Sequence, residues 1–411
     1  MHLIRKIGLG LTSMFNKDTP KHETRVSCVG RVSNRHGRLK SALRHAILVG
    51  CGRCFTLTSM FNKDTPKHET RVPCVGRVST RHGRLKSALR HAILVGCGRC
   101  FTLSLSAALI SSAALAQSQQ FVNILTGGQS GVYYPLGVAL SQIYAKAIPN
   151  TRSTAQVTKA SAENLNLLQA GRGELALALG DSVSNAWKGD AESGFKTKLD
   201  KLRGLSATYN NYIQIVANAD SGIKTLADLK GKRISVGAAK SGTELNARAI
   251  LKAAGLTYAD LGKVEYLPFG ESVELMKNRQ LDATLQSAGL GVASIRDLAT
   301  AIKIVVVAVP ADVVAKVGDA AYQPTIIPAN TYTGQTADVA TAAIPNFLVT
   351  HAGVSDDLAY QMAKSMYENI DTLYAAHNAA KAIKRDNAIK GMPIPLHPGA
   401  AKYYKEVGLL K

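Results

Sequence analysis

The feature that most constrains this chain is a glycine-rich turn between a strand-like run and a helix-like run. FVNILT leads into Thr126-Gly127-Gly128-Gln129-Ser130-Gly131, and GVALSQIYAKAI leaves it. A short apolar run, a flexible turn and then apolar residues at helical spacing open a βαβ unit. The glycines let a ligand come close to the backbone. The helix start offers free N–H groups and the positive end of its dipole, which suits a carboxylate or phosphate. Such turns also serve as plain connections, so the turn alone does not separate a site from a link.

The same alternation runs to the end of the chain. Strand-like segments occur at 174–180, 212–218, 233–238, 263–269, 281–287, 302–309 and 340–350, with helical patterns such as TELNARAILKAAG and SVELMKNR between them. That order predicts an α/β protein with parallel sheets. Val354 to His377 reads as one long helix whose stripe, Leu358, Met362, Met366, Ile370 and Leu373, is expected in the core.

The first hundred residues are of another kind. A 46-residue unit spans 11–56 and repeats at 57–102, differing only at Ser27/Pro73 and Asn34/Thr80. Stacked repeats need about three copies to bury a core, so two near-identical copies read as a duplication. All six cysteines lie here, including Cys51/Cys54 and Cys97/Cys100. Zinc ribbons space such pairs about 15–20 residues apart; these pairs are 46 apart, and no metal is expected. FTLSLSAALISSAALA, residues 101–116, has basic residues before it and ends in Ala114-Leu115-Ala116. That is a secretory signal with a small-x-small cleavage site, shorter than the roughly 20 residues needed to span a bilayer. Export signals normally open a chain. Either the native start lies near 75–95 or the upstream part is an unusual leader. Residues 1–100 are expected to stand outside the folded protein and 101–116 to direct export.

Charge follows this division. Residues 1–116 hold 20 lysines and arginines against 4 acids, leaving 30 against 24 for the remainder. The chain's net +22 is therefore mostly leader. The remainder has no basic block with interleaved aromatics, so no nucleic-acid partner is expected. Residues 117–411 suffice for two ordinary domains.

Two further turns resemble the first. Ser161-Ala162-Glu163-Asn164 opens a helical run, and Ser161 suits an N-cap. Ser241-Gly242-Thr243-Glu244 opens another, and S-x-x-E is a capping box. Both serines either cap only or also face a ligand. Gly242 before Thr243 favours close approach. Thr225 to Asp228 reads as a purely structural cap. Asp181, at a strand end, is either a site residue or a turn residue.

Together these pieces resemble the TAXI-type solute-binding proteins of TRAP (tripartite ATP-independent periplasmic) transporters. The resemblance rests on GGxxGxYYPxG, SAEN, DLKGKRxSVG, SGTE, Asp282-Ala283, Ile327-Pro328 with Thr331-Tyr332, and IPLHPGAAKYYKEVGL, covering 119–410 in order. It implies a type II periplasmic-binding-protein fold: two α/β lobes joined by two crossing strands, with a central cleft. Lobe I is expected at 117–210 plus 335–411 and lobe II at 211–334, with the first crossing near Tyr209–Tyr212. It implies capture of a small carboxylate, glutamate or 2-oxoglutarate-like, or an amino acid. It also implies delivery to TRAP permease subunits from the periplasm, by a monomer without cofactor. The sequence departs from the family at Ala239-Lys240, which adds a positive charge beside the cleft.

The expected ligand-binding residues are Gly127, Gly128, Ser130, Gly131, Tyr133, Tyr134, Ser161, Glu163, Asn164, Asp181, Tyr209, Ser241, Gly242, Thr243 and Gln286, with Ser287 as a weaker candidate. One of Tyr133 and Tyr134 is expected to face the cleft and the other the core. Glu163 and Asn164 either bond the solute or cap. The alternatives are a receptor of an ATP-driven importer, a sensor with the same fold, or an enzyme. The mature part has no cysteine, and its histidines, His351, His377 and His397, lie far from these turns in sequence. No nucleophile–base pair is suggested, and no catalysis is expected.

Overall fold

The computed structural model describes residues 119–411. The duplicated segment and the export-type stretch lie outside the described residues. Among the described residues no helix is long and apolar enough to cross a membrane.

The chain enters as β1 (Gln120–Leu125), turns through the glycines, and forms α1 (Tyr133–Ala147). Then come β2 (Thr151–Gln156), α2 (Ser161–Gln169), β3 (Leu175–Leu179) and α3 (Gly180–Lys188). Strands β2, β1 and β3 lie side by side and parallel. β3 is LALAL, buried at every position, as a central strand covered on both faces must be. β2, TRSTAQ, alternates and forms the edge. Gly137 lets α1 press onto β1, because a Cβ there would stand 2.3 Å from the Thr126 methyl.

A second set of the same kind follows: β5 (Arg233–Ser235), α4 (Gly242–Ala253), β6 (Lys263–Glu265), α5 (Phe269–Lys277), β7 (Ala283–Ala288), α6 (Ala293–Ala301) and β8 (Ile304–Val307). β5 pairs in parallel with both β6 and β7. Asp282, just before β7, holds Arg233 through both carboxylate oxygens, at 2.6 and 3.1 Å. α7 (Ala311–Val317) and β9 (Gln323–Ile327) close this set.

Two long antiparallel strands join the sets. β4 (Leu202–Asn218) and β10 (Val339–His351) pair with each other around the middle of the sheet. The first part of β4 runs beside β10; from Tyr212 onward it pairs with β7, and from Ile215 also with β8. β10 pairs with β9 over Val339–Ala343 and with β3 over Asn346–Val349. The result is two α/β lobes sharing two crossing strands, the architecture the resemblance implied. The register of β10 against β4 shifts between Pro345 and Phe347 and again between Leu348 and Val349. Pro345 has no N–H to give to the ladder.

The C-terminal part packs back on the first lobe as α8 (Asp356–Glu368), α9 (Ile370–Ala376) and α10 (Pro398–Glu406). The single helix expected over 354–377 is two. Asn369 leaves helical geometry (φ −121°, ψ 31°); its backbone N–H and its side chain both donate to the Ser365 carbonyl, and α8 ends at that bond. Most of the expected stripe is nevertheless core: Leu358, Met362, Met366 and Leu373 are buried, while Ile370, next to the break, is half-buried against them.

Candidate functional site

The two lobes enclose a cavity of about 760 Å³. Three structural features build it. On one side the Gly127–Gly131 turn of the first lobe faces the start of α5 in the second. Gly131 lies against the Phe269 ring and Gly128 against Pro268, so side chains at these glycines would meet the opposite lobe. Ser294 N donates to Ser130 O across the same gap at 3.3 Å.

On the other side the starts of α2 and α4 meet. A Cβ at Gly242 would stand 2.6 Å from Leu179 and 2.7 Å from Ser161 Oγ, so only glycine permits this approach. Glu163 N donates to Lys240 O at 3.3 Å. Both segments carry unusual backbone here: Ala160 has φ 71° and Lys240 φ 63°. Non-glycine residues held there cost on the order of 1–3 kcal/mol each and cluster at functional sites.

The back of the cavity is the crossing region, with Tyr209, Asn211, Ser287 and Ala288. Asn211 is committed: Nδ2 donates to Ser287 O at 2.8 Å, and Oδ1 accepts from Asn346 at 2.9 Å. Tyr209 Oη and Ser287 Oγ are buried and have no hydrogen-bond partner. Such groups are rare in folded proteins, because each costs roughly 1–3 kcal/mol of desolvation.

Helix starts supply further donors. Ser241 caps α4, its Oγ accepting from Glu244 N at 3.1 Å, and its hydroxyl proton has no acceptor among the described hydrogen bonds. The capping box is half made, because the Glu244 carboxylate turns to Arg248 and Tyr258 instead. Ser161 does not cap. Ala160 occupies the N-cap position and the Ser161 hydroxyl accepts from Leu179 N at 3.1 Å. First-turn N–H groups of α2 and α4 have no intrahelical acceptor, as at any helix start. Tyr133 donates its phenol proton to Asn346 and lies beside Ser161. Burial pushes the phenols of Tyr133 and Tyr209 well above the ordinary range, so both remain protonated donors.

Of the residues expected from sequence, Gly127, Gly128, Ser130, Gly131, Tyr133, Ser161, Tyr209, Ser241 and Thr243 line this one cavity, as does Ser287. Six others stand outside it. Tyr134 is half-buried beside the lining Tyr133. The Glu163 carboxylate accepts from Lys159 N at 2.6 Å. Asn164 is buried and donates to Thr126 O and Leu177 O while accepting from Thr158. Gly242 packs between lobes, and Gln286 accepts from Ser294 at 2.6 Å. Lys240 is exposed and lies off the lining as well.

Asp181 has a different place. It is buried at the start of α3, and its carboxylate takes Ser182 N at 2.7 Å, Asn246 Nδ2 at 2.6 Å and Tyr322 Oη at 2.9 Å. Asn246 and Tyr322 belong to the second lobe, so this cluster is a bridge between lobes. Burial pushes the Asp181 carboxyl up to about 6.

Sequence reasoning missed one wall. Leu267, Pro268, Phe269, Gly270 and Leu275 line the cavity. The signal was present: Pro268-Phe269-Gly270 follows a strand and starts a helix, the same grammar as the first glycine turn. Among the described residues no group of three or more metal-ligating side chains comes together.

Fold and cleft together define a bilobal α/β protein with a chamber at the junction of its lobes. The chain belongs to the NMT1-like family, whose sequence profile matches residues 124–408. Among solved structures it is similar to PhnD1 from Prochlorococcus marinus in complex with methylphosphonate. That match has 11% identity and a TM-score of 0.46 over 71% of this chain and 97% of that one. A second is the periplasmic aliphatic sulphonate binding protein SsuA from Escherichia coli, at 17% identity and a TM-score of 0.36 over 70% and 84%. A third is a binding protein component of an ABC phosphonate transporter from Pseudomonas aeruginosa, at 10% and 0.42 over 65% and 80%.

Proposed function

We propose that this protein is a periplasmic solute receptor that captures a small organic anion between its lobes and hands it to a TRAP-type membrane permease. The observation that carries the reading is the interlobe cavity, where the starts of α2 and α4 converge with Ser241 and Thr243, and the unpartnered Tyr209 and Ser287 hydroxyls lie just behind the lining. The hydroxyl protons of Ser241, Tyr209 and Ser287 have no acceptor in the protein, and no carboxylate lines this end of the cavity. A carboxylate satisfies such a set, and charge-assisted hydrogen bonds are the strong ones. Contacts from both lobes would favour the closed arrangement when solute is bound.

In this reading the mature protein begins near Gln117 after export. Lobe I comprises 117–210 plus 335–411 and lobe II 211–334, and the receptor is a monomer. The reading is one of binding rather than catalysis. The permease type rests on the sequence resemblance alone, and a sodium-coupled permease encoded beside this gene is the observation that tests it.

The site itself is tested at Thr243. Its side chain lines the cavity while Ser241 supplies the helix cap. Thr243→Ala should weaken carboxylate binding ten- to a hundredfold, the loss of a hydrogen bond to a charged group at about 1.5–3 kcal/mol. Melting temperature should stay unchanged. Isothermal titration of the purified full chain reads the first and a thermal melt the second; wild-type affinity in this variant would remove Thr243 from the site.

A further inference from the structure

We infer that the solute is an amphipathic monocarboxylate, with one charged head and a substantial apolar body, rather than a dicarboxylate. The inference rests on the carboxylate reading above and narrows it.

The cavity has two unlike ends. Where α2 meets α4 the lining is polar and neutral: Ser161, Ser241 and Thr243, with Tyr209 and Ser287 behind. Where the glycine turn meets α5 it is apolar: Leu267, Pro268, Phe269 and Leu275. No Lys, Arg or His stands among the buried lining residues. The charged lining side chains, Lys159, Glu271 and Glu274, are exposed and so sit at the mouth. One carboxylate therefore finds donors at the polar end. A second, placed a few carbons away, would face the Phe269 and Leu275 wall without a counter-charge. Burying an unpaired charge in such surroundings is strongly unfavourable. At the mouth Glu274 is paired with Lys277 at 3.0 Å, and Lys159 and Glu271 offset one another, so no net counter-charge stands there.

Size points the same way. A cavity of about 760 Å³ lies in the upper part of the roughly 300–1,000 Å³ range that holds drug-sized ligands. A five-carbon diacid would leave the apolar end unfilled, whereas an aryl or alkyl body would bury surface on Phe269. That burial is favourable at about 25 cal/mol per Å².

Titration of the full chain with 3-phenylpropanoate, hexanoate, glutarate and 2-oxoglutarate tests this. 3-Phenylpropanoate should bind at least tenfold more tightly than glutarate. Leu275→Ala, which removes apolar surface away from the Gly131 contact, should weaken 3-phenylpropanoate about tenfold and leave the glutarate affinity within twofold. Phe269→Ala should lower the 3-phenylpropanoate-to-glutarate ratio likewise; the ratio cancels any effect on lobe contact common to both ligands. Thr243→Ala should weaken all of them equally. Diacids binding as tightly as the aryl acid, or an unchanged ratio in both wall variants, would overturn the inference and leave carboxylate capture standing. No binding of any carboxylate would overturn both.

Discussion

Two buried polar groups stand between the lobes, and they differ in one respect. In the Asp181 cluster the carboxylate is fully engaged, with donors from Ser182, Asn246 and Tyr322. In the cavity, Tyr209 and Ser287 keep hydroxyls that nothing in the protein satisfies. In the first arrangement the carboxylate is satisfied without a visitor and acts as a latch, although Asn246 Oδ1 and Ser182 Oγ beside it have no hydrogen-bond partner. The second is incomplete, and its cost is recovered only when something else supplies acceptors. Burial and polarity are similar in both; what separates the structural bridge from the binding surface is the central charged group, satisfied in one and still to be supplied in the other.

The largest way to break this comparison is pH. Burial raises the Asp181 pKa from its ordinary 3.8 to about 6. The folded state then holds a proton that the unfolded state has released. Stability is therefore greatest below about pH 4 in this contribution and falls as pH rises towards 6, by about 3 kcal/mol in total. Asp181→Asn should abolish that slope, read by urea unfolding at pH 4.5 and 7.5. A variant that keeps the wild-type slope would mean that the latch carboxyl does not titrate in this window. No such slope is expected from the cavity, whose phenols stay protonated throughout.

Next comes the approach of α4 to α2. Gly242→Val places side-chain atoms where Leu179 and Ser161 already stand. Overpacking of this kind costs about 1–3 kcal/mol. Charged to the closed form, it should weaken solute binding by about five- to a hundredfold. Titration calorimetry reads it, and small-angle scattering with solute should show the variant remaining more extended than wild type.

The smallest effects come from paired phenol deletions. Tyr322→Phe removes a bonded hydroxyl and should lower stability by about 1–3 kcal/mol with little change in affinity. Tyr209→Phe removes an unpartnered one, so stability should hold or rise while affinity falls about threefold to tenfold. Melts and titrations on the two variants give opposite patterns if the comparison holds. Equal stability losses would erase the distinction.

Local grammar made the strand–turn–helix units legible in sequence, so the Gly127–Gly131 and Ser241–Thr243 turns stood out. What depended on partners did not. Ser161 has the chemistry of a cap, yet its hydroxyl goes to Leu179 N, 18 residues away. Asp181 meets Asn246 and Tyr322 across 65 and 141 residues, a pairing that only the lobe topology creates. Asn164, three residues after Ser161 in the same apparent cap, spends its side-chain amide inside its own lobe. The α5 wall was readable but apolar, and apolar residues after a strand look like core until a cavity is seen beside them. The break at Asn369 was invisible because the apolar stripe continues through it.

The two crossing strands also decide how the gene can be divided. β10 is interior in the first lobe's half of the sheet, between β3 and β4, and β4 is interior in the second lobe's half, between β7 and β8. Cutting the coding sequence at either crossing would strip the first lobe's half of the sheet of interior β10 and leave open, adhesive edges. Neither half can be inherited, swapped or expressed as a free-standing module. Recombination that respects this architecture must exchange the receptor whole, or exchange only the loops and helix starts around the chamber.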